Sequence, residues 1–145
     1  MLGQTFDTDL HAYLKTNSLS VPVYKELQVP EFSTSTDRSG YIVWTDVNPH
    51  KFYNSDGNSS DNTERTTLLV ECVHSLDSTR KEIAESVLAL LSPSGKPLVN
   101  EVLSNSIILN CVRRSHELLG ELKTGQGQVE RPSLVLRFSL VMRDA

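Results

Sequence analysis

The sequence is poor in the residue types that usually mark a metal or redox site. It has two cysteines and four histidines in 145 residues. Cys72 and Cys111 have no CxxC spacing, which argues against a disulfide framework and against a cysteine zinc site. Both lie within apolar runs, so we predict buried free thiols. No two histidines stand four residues apart, the spacing that places two imidazoles on one helical face. The sequence therefore predicts neither a metal nor a cofactor.

Long apolar runs and a basic leader are also missing. No stretch approaches the roughly 20 apolar residues that span a bilayer. The first residues, MLGQTFD, lack the basic start and the apolar run of a signal peptide. We therefore expect a protein that is made and kept in a cytoplasm, with no membrane partner. Hydrophobic residues make up 38% and charged residues 22%, which predicts one domain over residues 1–145 with a modest core and long polar loops.

The formal net charge is −4, and it divides unevenly along the chain. Residues 1–72 hold 5 Lys and Arg against 10 Asp and Glu, giving −5, whereas residues 73–145 hold 9 against 8, giving +1. This asymmetry suits a subunit whose acidic side meets the more basic side of a neighbour. The overall acidity argues against a protein that grips nucleic-acid backbone through a broad basic surface.

Apolar periodicity predicts two helices. Residues 6–17 carry an amphipathic stripe with acidic side chains near its start. The second helix follows residues 77–79, where Thr79 and Glu82 are spaced as a capping box. Residues 92–95, SPSG, end it. The apolar stripe of the second helix consists of Ile83, Val87, Leu90 and Leu91.

Five runs have the composition of strands. Pro22 confines the first to a sheet edge or to the start of an element, since proline cannot donate to a strand ladder. Pro49 is expected to end the second. The last strand alternates between a core face and a semi-polar face. The runs cover residues 21–24, 41–47, 65–75, 106–112 and 133–143. The core face of the last strand consists of Leu134, Leu136, Phe138, Leu140 and Met142.

Two polar segments separate these elements. Residues 54–63, NSDGNSSDNT, contain no apolar side chain and are expected to project from the fold. Residues 117–130 are expected to form a second loop that contains three glycines. The order of elements predicts an α+β fold, with a mostly antiparallel sheet, two helices packed on one face and long polar loops.

A search for catalytic patterns finds no enzyme signature. Cys72 and His74 share a strand face but lack a third, orienting group. Asp56 and Gly57 resemble a fragment of a calcium loop, yet no glutamate stands at the closing position, which favours a solvated turn. No phosphate-binding glycine pattern is present. The sequence therefore predicts a protein that is not an enzyme.

Taken in order, the segments YIVWTDV, TTLLVECVHS, DSTRKEIAESVLALL, SIILNCVRRS and SLVLRFSLVMR resemble one family over about two thirds of the chain. It is the tail terminator or tail completion family of long-tailed phages. The resemblance implies a homohexameric ring at the head–tail junction of the virion, assembled in the host cytoplasm. Such a ring would cap the major tail tube protein, stop tube polymerisation and offer a docking surface to the head connector or stopper protein. DNA would pass through the lumen without specific binding.

Two other functions remain open at this stage. One is a head-completion or stopper protein that binds the portal side, and the other is a small cytoplasmic enzyme that uses a thiol, Cys72 or Cys111. For the leading hypothesis, the candidates for contacts with other subunits or with the tube are polar loop residues and arginines expected to point outward. They are Asn54, Asp56, Asn58, Asp61, Arg113, Arg114, Gln126, Gln128, Arg137 and Arg143.

Overall fold

The structure is a computed structural model that describes residues 4–16, 21–25, 40–53, 59–117, 122–123 and 129–144. This part of the chain contains two α-helices, α1 (Gln4–Thr16) and α2 (Asp77–Leu91). A 3-10 turn, Pro93–Gly95, follows α2. The strands are β1 (Val23–Lys25), β2 (Tyr41–Tyr53), β3 (Ser59–Val73), β4 (Leu98–Val102), β5 (Ser106–Glu117), β6 (Leu122–Lys123), β7 (Val129–Arg131) and β8 (Ser133–Asp144).

Six strands form the main sheet, in the order β1-β2-β3-β8-β5-β4. Every neighbouring pair is antiparallel except β1 and β2, which are parallel. The predicted α+β class is confirmed. The last strand in sequence, β8, lies between β3 and β5 and so joins the two halves of the sheet. Strand β1, which begins directly after Pro22, lies at one edge of the sheet, as predicted.

Both helices pack on one face of the sheet and form the main core with it. Helix α1 contributes Phe6, Leu10 and Leu14, all at most 1% exposed. The apolar stripe of α2 packs against the same cluster. The core face predicted for the last strand is confirmed, because its residues are all buried, but at the start of the strand Ser133 and Val135 on the other face are buried too. The core face consists of Leu134, Leu136, Phe138, Leu140 and Met142.

The start of α2 differs from the predicted capping box. The helix begins at Asp77, two residues before Thr79, and its N-cap is Leu76, which makes no side-chain cap hydrogen bond. The Asp77 carboxylate instead accepts a bond from Lys81 at 3.0 Å, which, together with Arg80, holds the pKa of Asp77 below its usual range. A carboxylate in the first turn also favours the positive end of the helix dipole. The interpretation of Thr79 as the cap was wrong.

Strand β2 continues through Pro49, so the prediction that this residue ends the strand was wrong. The pairing register between β2 and β3 shifts between Val47 and His50. A bulge leaves residues without regular ladder bonds, and a proline, which has no N–H, can occupy such a place.

The polar segment at residues 54–63 is shorter as a loop than the sequence predicts. Its second half is paired strand, because β3 begins at Ser59, while residues 54–58 lie outside the described part of the chain. The pairing of β8 with β3 starts at Glu64, opposite Met142, and β8 ends at Asp144. The hairpin of β2 and β3 therefore extends past the end of β8 as a two-stranded arm. We call residues 51–53 and 59–63 the hairpin arm.

Two other parts of the chain were predicted incompletely. Strand β4 was missed, because only three of its five residues, LVNEV, are apolar. Asn100 in β4 has a φ of 52°, so β4 does not keep a strict two-residue alternation. The predicted second loop, residues 117–130, contains β6 and β7, which pair with each other. Its residues 118–121 and 124–128 lie outside the described part.

Candidate assembly surfaces

The predicted contact residues fall into three groups. The first group, in the two polar segments, lies outside the described residues and consists of Asn54, Asp56, Asn58, Gln126 and Gln128. Asp61 lies in the hairpin arm. The four arginines lie on the neighbouring strands β5 and β8, and three of them lie close together in the half of the pair that contains the start of β8.

Those three arginines are Arg113, Arg114 and Arg137, which we call the arginine end. All three are exposed. Arg113 pairs with Phe138 and so leaves the sheet on the side of the helices, and the register of β5 with β8 shifts directly after it. The Nε of Arg114 donates to Oγ of Ser139 at 2.8 Å, on the opposite face. Arg113 and Arg114 are adjacent in β5 and lie on opposite faces of the sheet, so the positive charges are distributed over both faces.

Arg143 lies apart from the arginine end. It pairs with Ile107 near the opposite end of β5 and is half-buried. The six residues that separate it from Arg137 correspond to about 20 Å along a strand. The four arginines predicted as outward contacts therefore do not form one surface.

A pocket of about 490 Å³ opens between α1 and the connection from β4 to β5. Asp9 of α1 is 5% exposed, and its Oδ2 accepts bonds from the Asn105 N–H at 2.8 Å and the Ser106 hydroxyl at 2.6 Å. These bonds tie the helix to the start of β5. The pocket is lined by Asp9, Ala12, Tyr13, Glu101, Val102, Leu103 and Ser104. We call it the acidic pocket.

The lining of the acidic pocket is negative. Burial, together with the nearby charge of Glu101, raises the pKa of Tyr13 to about 12. Glu101 itself is half-buried. Sequence reasoning missed this site because Asp9 and Glu101 belong to elements far apart in the chain, and only the fold brings them together.

Next to the pocket, β4 presents apolar side chains to solvent at the edge of the sheet. Val99 is 56% exposed and Val102 is 69% exposed. An edge strand with exposed apolar residues offers both unpaired backbone groups and apolar surface to another chain. The short apolar run directly after Pro97 was the only sequence signal for this strand.

A second set of polar side chains lies between α1 and the strands β1 and β2. The Trp44 side chain is fully buried, and its Nε1 donates to Nδ1 of His11 at 2.9 Å. The Lys25 ammonium lies 5.0 Å from the centroid of the Trp44 ring and forms ion pairs with Asp7 and, at 3.8 Å, with Asp46. Burial lowers the pKa of His11. This cluster fixes the helix on the sheet.

Both thiols are buried, as predicted. Burial raises the pKa of Cys72 and of Cys111 to about 12 each. The Nδ1 of His74 accepts the Leu76 N–H at 2.9 Å. Within the described residues, no three His, Cys, Asp or Glu side chains come together to hold a metal ion. No helix in this part of the chain is long and apolar enough to cross a membrane.

The fold and these surfaces define an α+β protein whose notable exterior features are a hairpin arm, an acidic pocket beside an apolar sheet edge, and an arginine end. No protein-family model matches the chain, and no curated protein sequence matches it.

Among solved structures, the chain is similar to one from the virion of a native gene transfer agent particle. The two are 16% identical, the match covers 99% of this chain and 100% of the other, and the TM-score is 0.51. A second solved chain, whose name states no function, is 15% identical over 97% of this chain and 90% of its own, with a TM-score of 0.49. At such identities, the first match establishes a shared fold, and the second supports no conclusion.

Proposed function

We propose that this protein is a structural component of a virion and that it works by assembling with copies of itself and with tail proteins. The observation that carries the proposal is the match over the full length of both chains to a component of a gene transfer agent virion. A shared fold does not by itself establish a shared function. The order of the segments that resemble tail terminators supplies the second, independent argument.

The specific role that we propose is a homohexameric ring that caps the tail tube at the head–tail junction. A ring needs two different, complementary patches on each subunit. The acidic pocket and the arginine end have opposite charge and lie on different parts of the sheet. The hairpin arm extends past the end of β8, so it is our candidate for contacts with the tube or the connector.

The net charge suits a ring that encloses a DNA passage. Six copies at −4 each would carry about −24, which would disfavour adhesion of DNA to the wall. This role requires no catalysis. The raised pKa values of Cys72 and Cys111 support a non-catalytic role, because a thiol reacts as its thiolate.

A tube-capping assay tests the proposed role. Purified tail tube protein would be polymerised with and without this protein, and tube lengths would be measured by negative-stain electron microscopy. We expect shorter tubes with a ring at one end. Unchanged tube lengths, together with binding to a purified connector protein in a pull-down, would contradict the tube-capping role and favour a stopper.

A further inference from the structure

We infer that the face of the sheet opposite the helices, over β4, β5 and β8, receives helix α2 of a second copy of this chain. We call it the helix-free face. The inference rests on the proposed function, since it names the contact between neighbouring subunits of the ring. Three observations carry it: exposed apolar side chains on this face, arginines around them, and exposed carboxylates on α2.

The strand register defines the members of this face. The even-numbered residues of β8 from Leu134 to Met142 lie in the main core, so its odd-numbered residues point away from the helices. A residue that pairs with one of them lies on the same face. The rows across β4, β5 and β8 are Val102, Ile107 and Arg143, then Val99, Asn110 and Val141, then Val112 and Ser139.

The apolar side chains of the helix-free face are accessible in the single subunit. Val99 and Val102 are two of the three large apolar residues that are exposed in the described part of the chain. Ile107, Val112 and Val141 beside them are half-buried. Both described helices pack against the opposite face of the sheet. A contiguous apolar surface of this kind marks a contact with another protein.

Arginines give the helix-free face a positive charge, although the whole chain carries −4. Arg137 and Arg143 belong to it by alternation, and Arg114 belongs to it because its Nε donates to Oγ of Ser139. The Nε of Arg143 is buried and has no hydrogen-bond partner among the described residues. Two such faces would repel each other, so the face requires an acidic surface of a different kind.

Helix α2 presents such a surface to solvent. Glu82 and Glu85 are both exposed, and a spacing of three residues places them on one side of the helix. The nearest basic residue of this surface, Lys81, is already paired with Asp77 at 3.0 Å. The exposed side of α2 therefore complements the arginines of the helix-free face.

The dimensions of the two surfaces agree. A helix of 15 residues is about 22 Å long and about 10–12 Å wide. The helix-free face is about 20 Å long from Arg137 to Arg143, and three neighbouring strands are about 14 Å wide. Ser86 and Ala89 are exposed on α2 and small, so the helix can approach the sheet closely. Such a contact is head-to-tail, the kind that generates rings when the rotation between subunits closes.

Charge reversal tests the contact. The sheet variant carries Arg114→Glu and Arg137→Glu, and the helix variant carries Glu82→Arg and Glu85→Arg. Assembly would be measured by light scattering, with and without purified tail tube protein. We expect each variant to require at least about tenfold more protein than the wild type to assemble, because each variant places like charges across the contact.

Mixing adds a readout that folding defects cannot imitate. Both surfaces are negative in the sheet variant, and both are positive in the helix variant. In an equimolar mixture, every sheet face meets an α2 of opposite charge when the two variants alternate. We therefore expect the mixture to assemble like the wild type, although neither variant does so alone. A mixture that fails to assemble would overturn the contact.

A matched control carries Lys15→Glu and Arg113→Glu, which change the net charge by the same amount at exposed positions outside the helix-free face. It should assemble like the wild type, and circular dichroism would show that every variant is folded. A control that loses assembly as the sheet variant does, or variants that assemble as readily as the wild type, would overturn this contact and leave the ring function standing. A wild type that stays monomeric even with tube protein would overturn both.

Discussion

At the scale of single residues, Gly40 is a described glycine at which a side chain would clash with its surroundings. Its φ is 81°, and a Cβ there would lie 2.5 Å from the Val73 carbonyl oxygen and 2.9 Å from Cδ1 of Ile83. Gly40 directly precedes β2 and packs against the end of β3 and against α2. Only glycine allows this close approach without displacement of backbone.

We expect Gly40→Ala to lower the free energy of unfolding by more than about 2 kcal/mol, because it combines backbone strain with a backbone clash. Gly95→Ala is the matched control. Gly95 also has a positive φ, 73°, but nothing lies within 4 Å of a Cβ added there. We therefore expect Gly95→Ala to lower the free energy of unfolding by about 1 kcal/mol, from the left-handed backbone conformation alone. Urea unfolding of both variants measures the difference. Equal losses would contradict the clash.

His11 links stability to pH through its bond with Trp44. The indole N–H can only donate, so Nδ1 of His11 must be unprotonated, and the bond exists only for neutral imidazole. Burial lowers the pKa of His11, and Lys15 and Lys25 act in the same direction, against Asp7. A folded pKa below the unfolded value of 6.5 means that the unfolded state binds the proton first as pH falls.

We therefore expect the contribution of His11 to be fully present above pH 6.5 and to be lost as pH falls from there through the lowered folded pKa. NMR titration of the His11 ring should give a pKa below 6.5. His11→Gln keeps an acceptor without a titration and should reduce the pH dependence of urea midpoints between pH 8 and 5.5. His11→Ala leaves a buried indole N–H unpaired and should cost about 1–3 kcal/mol. A His11 pKa above 6.5 would contradict this account.

The two cysteines should be unreactive in the folded protein. With a pKa of about 12 and buried side chains, Cys72 and Cys111 present almost no accessible thiolate at pH 7.5. We expect iodoacetamide to modify neither in native protein and both in urea, as read by mass spectrometry. Rapid modification of either native thiol would revive the hypothesis of a thiol enzyme.

At the scale of elements, α1 depends on a polar tie to the β4–β5 connection. The Asp9 carboxylate accepts hydrogen bonds from the Asn105 N–H and from the Ser106 hydroxyl, both of which are far from it in the sequence. Asp9→Ala would leave the buried Ser106 hydroxyl without this partner, and we expect a loss of about 2–3 kcal/mol, since hydrogen bonds to charged groups are the stronger kind. Asp9→Asn, which retains an acceptor oxygen, should lose less.

Hydrogen exchange distinguishes a local effect from a global one in these variants. If Asp9 fixes the helix, α1 amides should exchange faster in Asp9→Ala while β8 amides keep their protection under native conditions. Uniform acceleration over the whole sheet would contradict a local role for this tie.

The elements also show what the sequence could and could not predict. The core face of β8 and the stripe of α2 were predictable because the main core lies between the helices and one face of the sheet, and periodicity reports directly on that face. The continuation of β2 through Pro49 was not predictable, because a β-bulge depends on how the strand pairs with its partner. Strand β4 was missed because an edge strand with an irregularity at Asn100 lacks alternation. The helix cap was predicted wrongly because Asp77, Ser78 and Thr79 all carry side chains that can cap a helix.

The candidate surfaces were predictable only in part. Arg113, Arg114 and Arg137 could be named from the sequence, since they stand in or beside predicted strands. Their grouping follows from the pairing of β5 with β8, which composition does not reveal. Glu101 and Asp9 were not combined because a pocket between distant elements leaves no local pattern.

At the scale of the whole molecule, the charge asymmetry of the sequence does not correspond to two separate surfaces. The acidic pocket takes Asp9 from the N-terminal half and Glu101 from the C-terminal half. The two halves also share one sheet, because β8 pairs with both β3 and β5.

Native mass spectrometry of the protein, alone and with tail tube protein, tests the central claim of function by assembly most directly. We predict a closed oligomer, with six chains of 16.2 kDa giving about 97 kDa. A mass of one chain under both conditions, at concentrations up to those of tube assembly, would contradict the account.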